Sequence, residues 1–414
     1  MNRLFQNRID KNETYGLRKA AMLLCMSIII LHSVVAQKGK RGAAPTATDA
    51  VANGTFRDIP VLEDAFFDAS PVDLQDGIPV GKLGRDGGDK AKILAMAREM
   101  ANHQHGNYDC MLIAHKGKLL FEYYGLRGRI NLPHPQASAT KAYTSLLVGR
   151  AIQLGYLTMA DLDKPLVSFL KDLDPSKWVD GAEKITLHMA LTMRGGLGIT
   201  QEQRDEFEQD SASLKGQGLV QTLLEYSAPI TTASQQYLYG NFNPRLVMQV
   251  IEAVVPGTAQ DFIKHEFLGK LGITQYTWQD EISGLPEAGW RVSFTSRDML
   301  KLGTLAMNKG QWNGEQLIPE AYIDQAIHRI VRESDDENFA DHGSVSNTGY
   351  GYFWWQSDLK VGNRNYFSTS ARGGGGQYVL LIEELDLIVV VTAYGRDDVT
   401  LQLTADQILP AFIQ

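Results

Sequence analysis

Two pairs of strand-like runs, one toward each end of the chain, constrain this sequence more than anything else in it. Cys110-Met111-Leu112-Ile113-Ala114 and Leu119-Leu120-Phe121-Glu122-Tyr123-Tyr124 are joined by Lys116-Gly117-Lys118. Tyr378-Val379-Leu380-Leu381-Ile382 and Leu387-Ile388-Val389-Val390-Val391-Thr392 are joined through Glu383-Glu384-Leu385-Asp386. Apolar runs this close together read as hairpins, and hairpin-linked strands are antiparallel. Between the two pairs, from Ser138 to about Leu285, the spacing turns helical, with apolar residues at Leu146, Leu147, Ala151, Ile152 and Leu154. Helical spacing also marks residues 90–102, 297–307 and 401–413. Further strand character falls at 350–356 and at Tyr366-Phe367. The expected fold class is α+β: an antiparallel sheet flanked by helices, built from both chain ends, with a mostly helical domain inserted at about 142–285. The polar stretch 332–348 reads as a surface loop.

The N-terminus has the pattern of an export signal. Arg18 and Lys19 end a net-positive lead, residues 20–35 are almost uninterruptedly apolar, and Val34-Val35-Ala36 offers a cleavage site. Residues 1–36 are therefore expected to be removed, giving an exported protein, periplasmic or secreted in a bacterium, with no stable membrane insertion. Residues 37–58 read as a linker, and 59–414 as the folded domain. Asn53-Gly54-Thr55 fits a glycosylation sequon, relevant only in a eukaryotic secretory route. Without the leader, Cys110 is the single cysteine, so no internal disulfide can form. A formal net charge of -8 gives no basic surface for nucleic acid.

The chemistry is carried by Ser138-Ala139-Thr140-Lys141, just before a run with helical spacing. S-x-x-K at a helix start puts a hydroxyl and an amine on one face, a turn apart. A buried lysine can lose its proton and activate the serine. Ser168-Phe169-Leu170-Lys171 and Ser357-Asp358-Leu359-Lys360 fit the same pattern. The first reads as part of a helical stretch and the second as a turn between strands. Two other segments single out Ser138: Tyr239-Gly240-Asn241, and Arg372-Gly373-Gly374-Gly375-Gly376-Gln377 ahead of an apolar strand. A phosphate cradle would need a Lys-Ser/Thr and a helix after the glycines, and a strand follows instead. His103 and His105 lack a third ligand for a metal, and there is no G-x-S-x-G elbow.

In this order, S-x-x-K, Y-x-N and a Gly-rich strand edge, the chain resembles the serine β-lactamase and penicillin-binding-protein superfamily. Within it the resemblance is to the branch with class C β-lactamases, family VIII esterases and 6-aminohexanoate-dimer hydrolase. Residues 117–124, 185–197, 271–273, 296–303 and 350–355 also look like blocks of that branch. The resemblance implies a β-lactamase/transpeptidase-like fold and a small-molecule ester or amide substrate, with no cofactor and no metal. It implies Ser138 as nucleophile, and Lys141 and Tyr239 as general base and acid, with either able to be the base. Asn241 is suited to tether Lys141 or a substrate carbonyl. The oxyanion hole would use the N–H groups of Ser138 and Gly374, with Gly375 one residue away as the alternative. Gly373, Arg372 and Trp355 would line the substrate site; of the neighbouring Trp354 and Trp355 only one can face it.

The third motif departs from the family. Where relatives carry K-T-G or H-T-G, this chain has Ala371-Arg372-Gly373. Arg372 replaces the missing cation only if it points into the cleft. Esterase or amidase activity is therefore favoured over a penicillin-recognising DD-peptidase or β-lactamase; the altered motif leaves open an inactive binding protein on the same fold, against which the intact Ser138, Lys141 and Tyr239 set speaks.

Overall fold

The computed structural model describes residues 43–413, apart from 53, 54 and 396–398. The expected export signal at 1–36, the first part of the linker and Asn53 lie outside the described residues. The part of residues 37–58 that is described is not a free linker. Asn131 bonds both the N–H and the carbonyl of Ala47, at 2.7 and 2.9 Å, and Ala47 packs with Ile59 and Leu132. An asparagine amide offers a donor and an acceptor side by side, so it holds a passing chain much as a strand neighbour does.

Eight strands form one antiparallel sheet: β1 (Phe66–Asp68), β2 (Tyr108–His115), β3 (Lys118–Tyr124), β4 (Val345–Tyr350), β5 (Trp355–Val361), β6 (Arg364–Gly373), β7 (Gln377–Ile382) and β8 (Leu387–Ala393), in the order β1-β3-β2-β8-β7-β6-β5-β4. β8 pairs with β2 from Leu387↔His115 to Ala393↔Tyr108, and so closes the sheet between the two chain ends. The β2–β3 turn has Lys116 at φ 50° and Gly117 at φ 70°. Positive φ at both central residues matches the twist of the strands it joins.

Alternation along the strands sorts the residues onto two faces. Leu112, Ala114, Ala371, Val379, Leu381, Ile388 and Val390 face a helical body through α2 (Thr140–Gln153) and α4 (Ser296–Met307). Met111, Ile113, Phe121, Leu380, Val389 and Val391 face α1 (Lys90–Ala101) and the C-terminal helical segment 400–412. Asp89 caps α1 by accepting from the N–H groups of Ala91 and Lys92, and α1 buries Ile93, Met96, Ala97 and Met100. Ile93, Met96 and Met100 are each worth about 1.5–3 kcal/mol when taken out of water. Helix α2 is buried on nearly all sides, from Thr140 to Ala151, because α3 (Phe242–Val254) covers its other flank.

Three sequence expectations are corrected. Residues 350–356 are not one strand: β4 ends at Tyr350, residues 351–354 form the link, turning at Phe353 with φ 62°, and β5 begins at Trp355. Ser357-Asp358-Leu359-Lys360 is not a turn but the middle of β5, with Ser357 and Leu359 fully buried. Stretch 332–348 is only partly a surface loop, since it ends in strand β4 and sends Phe339 against Tyr237 and Trp355. Ser168 lies in a 3-10 turn, Leu166–Phe169, and its hydroxyl donates to the Pro165 carbonyl. No helix among the described residues is long and apolar enough to cross a membrane.

Candidate active site

Ser138 sits in a 3-10 turn, Ala137–Ala139, that runs directly into α2. The turn is held from three sides. Residues His134–Pro135 pair with Val292–Phe294, and the Gln136 N–H donates to the Val292 carbonyl at 2.8 Å. The Gln136 side chain donates to the His134 carbonyl and accepts from the buried Tyr143 hydroxyl. Ala137 takes φ 46°, a conformation a non-glycine residue adopts only when its surroundings impose it. Gly373, the last residue of β6, lies against this turn: a Cβ there would stand 2.1 Å from the Gln136 carbonyl oxygen and 3.1 Å from the Ala139 nitrogen. Only glycine allows the strand so close.

Lys141, the second residue of α2 and one turn after Ser138, is 1% exposed. Its Nζ donates to Ser138 Oγ at 3.3 Å, Asn241 Oδ1 at 2.8 Å and the Gly289 carbonyl at 2.9 Å. All three acceptors are uncharged. Burial pushes its pKa down to about 8, against the charge of Glu287, which raises it, and with that of Arg245, which lowers it further. Tyr239 lies on the other side of the amine, its ring centroid 5.0 Å from Nζ. Burial raises the Tyr239 pKa, and a hydrogen bond with Ser138 works in the opposite direction. The two shifts have one origin. Low dielectric disfavours charge, so the lysine tends to the amine and the tyrosine to the phenol.

The remaining expected site residues divide. Asn241 reaches Lys141 itself. Trp355, not the fully buried Trp354, meets the Tyr239 ring at 5.4 Å and helps form an aromatic wall with Tyr237, Tyr350 and Phe339. Gly374 follows Gly373 on the exposed side of the turn, with open space where a Cβ would be. Gly375, at φ 95°, lies deeper in the same turn. Arg372 leaves β6 on the face opposite Ala371 and Gly373. It donates to Ser370 and Ser357, both at 2.8 Å, and its guanidinium lies 5.4 Å from the Trp355 ring. It thus braces the far side of the strand edge, next to a cavity also lined by Thr348, Tyr378 and Leu401.

The Gly289 carbonyl and the charged groups behind it, Glu287, Arg245 and Glu281, were not among the residues the sequence singled out. A backbone acceptor leaves no side-chain signature, and these residues come from segments more than 30 positions apart. His105 bonds Glu99 and Gln407, and no group of three or more His, Cys, Asp or Glu among the described residues is placed to hold a metal ion.

Residues 91–409 match the Beta-lactamase family model, which spans most of the chain. The chain belongs to the beta-lactamase family. Among solved structures it is similar to a class C beta-lactamase (TM-score 0.58, 16% identity, 79% of this chain and 98% of that one). It is also similar to a putative 6-aminohexanoate-dimer hydrolase from Bacillus anthracis (TM-score 0.55, 16% identity, 81% and 84%). A third is an octameric penicillin-binding protein homologue from Pyrococcus abyssi (TM-score 0.56, 16% identity, 77% and 77%). At this identity these likenesses concern the fold alone. No curated protein matches the chain in sequence. The family and the mixed helix and antiparallel-sheet fold agree with the resemblance read from the three motifs, and make the protein a beta-lactamase-fold hydrolase.

Proposed function

We propose that this beta-lactamase-family protein is an exported serine hydrolase that cleaves a small ester or amide through an acyl-enzyme on Ser138. The observation that carries the reading is the buried Lys141 amine, 3.3 Å from Ser138 Oγ and without a charged acceptor on its Nζ. Of the two candidate bases, the directions of the shifts favour Lys141: an amine of pKa about 8 loses its proton more readily than a buried phenol.

Neutral Lys141 takes the Ser138 proton as Oγ forms its bond to the substrate carbonyl carbon. The carbonyl π pair moves to oxygen, where the N–H groups of Ser138 and Gly374 stabilise the negative charge. Collapse re-forms the carbonyl and breaks the bond to the alcohol or amine, which leaves with a proton passed from Lys141 through Tyr239. Water then releases the acyl group by the reverse assignment of the same groups. The aromatic wall of Tyr237, Trp355 and Phe339 suits a substrate with an apolar part. Arg372 donates to Ser357 and Ser370 on the face of β6 opposite Gly373; its charge still reaches Tyr239, but this placement weighs against a role as the K-T-G cation, and so against β-lactam or D-Ala-D-Ala carboxylates as natural substrates. Export rests on the apolar segment after Arg18-Lys19.

Intact-protein mass spectrometry after fluorophosphonate treatment tests the reading. One adduct on the wild type and none on Ser138→Ala is expected. A folded wild type that takes up no adduct would overturn it.

A further inference from the structure

Behind Lys141 the site continues into a group of charges that the proposed reaction does not use. Glu287 is 1% exposed, and its Oε1 accepts from the Gly289 N–H at 3.0 Å. The carbonyl of that same Gly289 accepts from Lys141 Nζ. Glu287 Oε2 faces Arg245 Nη2 at 3.7 Å, and Arg245 Nε lies 2.7 Å from Glu281 Oε2 without hydrogen-bond alignment. The fit around Gly289 is close: a Cβ there would stand 2.9 Å from Asn241 Oδ1 and 3.2 Å from Glu287 Oε1. Two of the three acceptors on the Lys141 amine, Asn241 and Gly289, are therefore set by one small cradle, and Glu287 forms its floor.

We infer that Glu287 is a positioning residue that clamps the Gly289 carbonyl onto Lys141 and, through its negative charge, keeps that amine a strong base. The inference rests on the serine-hydrolase reading above. The groups that face Lys141 are Ser138 on its own turn, Tyr239 and Asn241 before α3, Arg245 on α3, and Gly289 with Glu287 on the segment before Val292–Phe294. Only Glu287 and Arg245 among them bear full charges, and they are of opposite sign. Burial alone would drive the lysine further toward neutrality and make it a poor proton acceptor. A carboxylate held two residues before that carbonyl limits that fall. It does so without touching Nζ, because a direct ion pair would fix the proton on the lysine.

Glu287→Gln separates the two parts of the role. An amide oxygen still accepts from the Gly289 N–H, but the charge is gone. Titration of Lys141, followed by its 13Cε resonance in lysine-labelled protein and assigned by its loss in Lys141→Met, is expected to shift down by about one pH unit in Glu287→Gln. The rate of fluorophosphonate labelling should show the same lower midpoint and a plateau reduced several-fold at high pH, because the amine is a weaker base. Glu287→Ala, which loses the clamp as well, should be slower at every pH. An unchanged Lys141 midpoint in a Glu287→Gln protein with a wild-type melting curve would overturn the inference. The resonance needs no turnover, so an unlabelled wild type would count against the hydrolase reading while Glu287 is still tested.

Discussion

Lys141 and Arg297 are both cations buried to within a few per cent of full enclosure, and the structure treats them in opposite ways. Arg297, on α4, donates to Glu122 at 2.8 Å, Asp76 at 3.2 Å and the Val72 carbonyl at 2.9 Å. Burial works against its charge, but the Glu122 hydrogen bond and the two carboxylates outweigh it and leave the pKa raised. It locks α4 to β3 and to the segment before α1. Lys141 has three neutral oxygens and no carboxylate on its Nζ, and its pKa falls to about 8. The same fold thus builds one cation that cannot give up its proton and one that readily does. The groups differ from the start, since a guanidinium keeps its proton in any protein and a lysine amine need not, and the direct acceptors widen the difference: carboxylates on Arg297, neutral oxygens on Lys141.

Substitutions can break this contrast from either side. Lys141→Met removes the proposed base and is expected to cut labelling or turnover by about 10⁴-fold, as loss of a member of such a catalytic set does. Its melting temperature should not fall, because a buried amine short of counter-charge costs stability. Glu122→Gln should do the reverse: about 3 kcal/mol of stability lost through a broken buried pair, read by denaturant unfolding, with activity per folded molecule kept. Asn241→Asp gives Lys141 the carboxylate that Arg297 already has. Its pH midpoint should rise by about one to two units, slowing the reaction at pH 7 about 10–100-fold, with recovery at higher pH.

Both cations lie in sequence patterns that were readable, but to different depths. Ser138, Lys141, Tyr239 and Asn241 stood out because the proposed nucleophile, base and tether come from short motifs in a fixed order, and the hairpins at both chain ends foretold the sheet that places them. Gly289 was not legible, since it acts through a carbonyl, nor was the Glu287–Arg245–Glu281 group, which exists only after α3 and the 281–289 segment pack together. The strand expected across 350–356 is interrupted for a local reason. Aromatic residues suggested extended chain, but Phe353 takes a left-handed turn there, and the strand proper starts at Trp355. The sequence set Arg372 against the K-T-G of relatives; the alternation of β6, with Gly373 pressed against the Ser138 turn, sends its side chain to the other face.

The most direct test of the account is the rate of fluorophosphonate labelling at Ser138 as a function of pH in the wild-type protein. In the proposed mechanism neutral Lys141 accepts the serine proton, so the rate should be low near pH 6, rise with a single ionisation centred near 8, and level off above it. A rate independent of pH from 6 to 9 would contradict the claim that Lys141 arms Ser138.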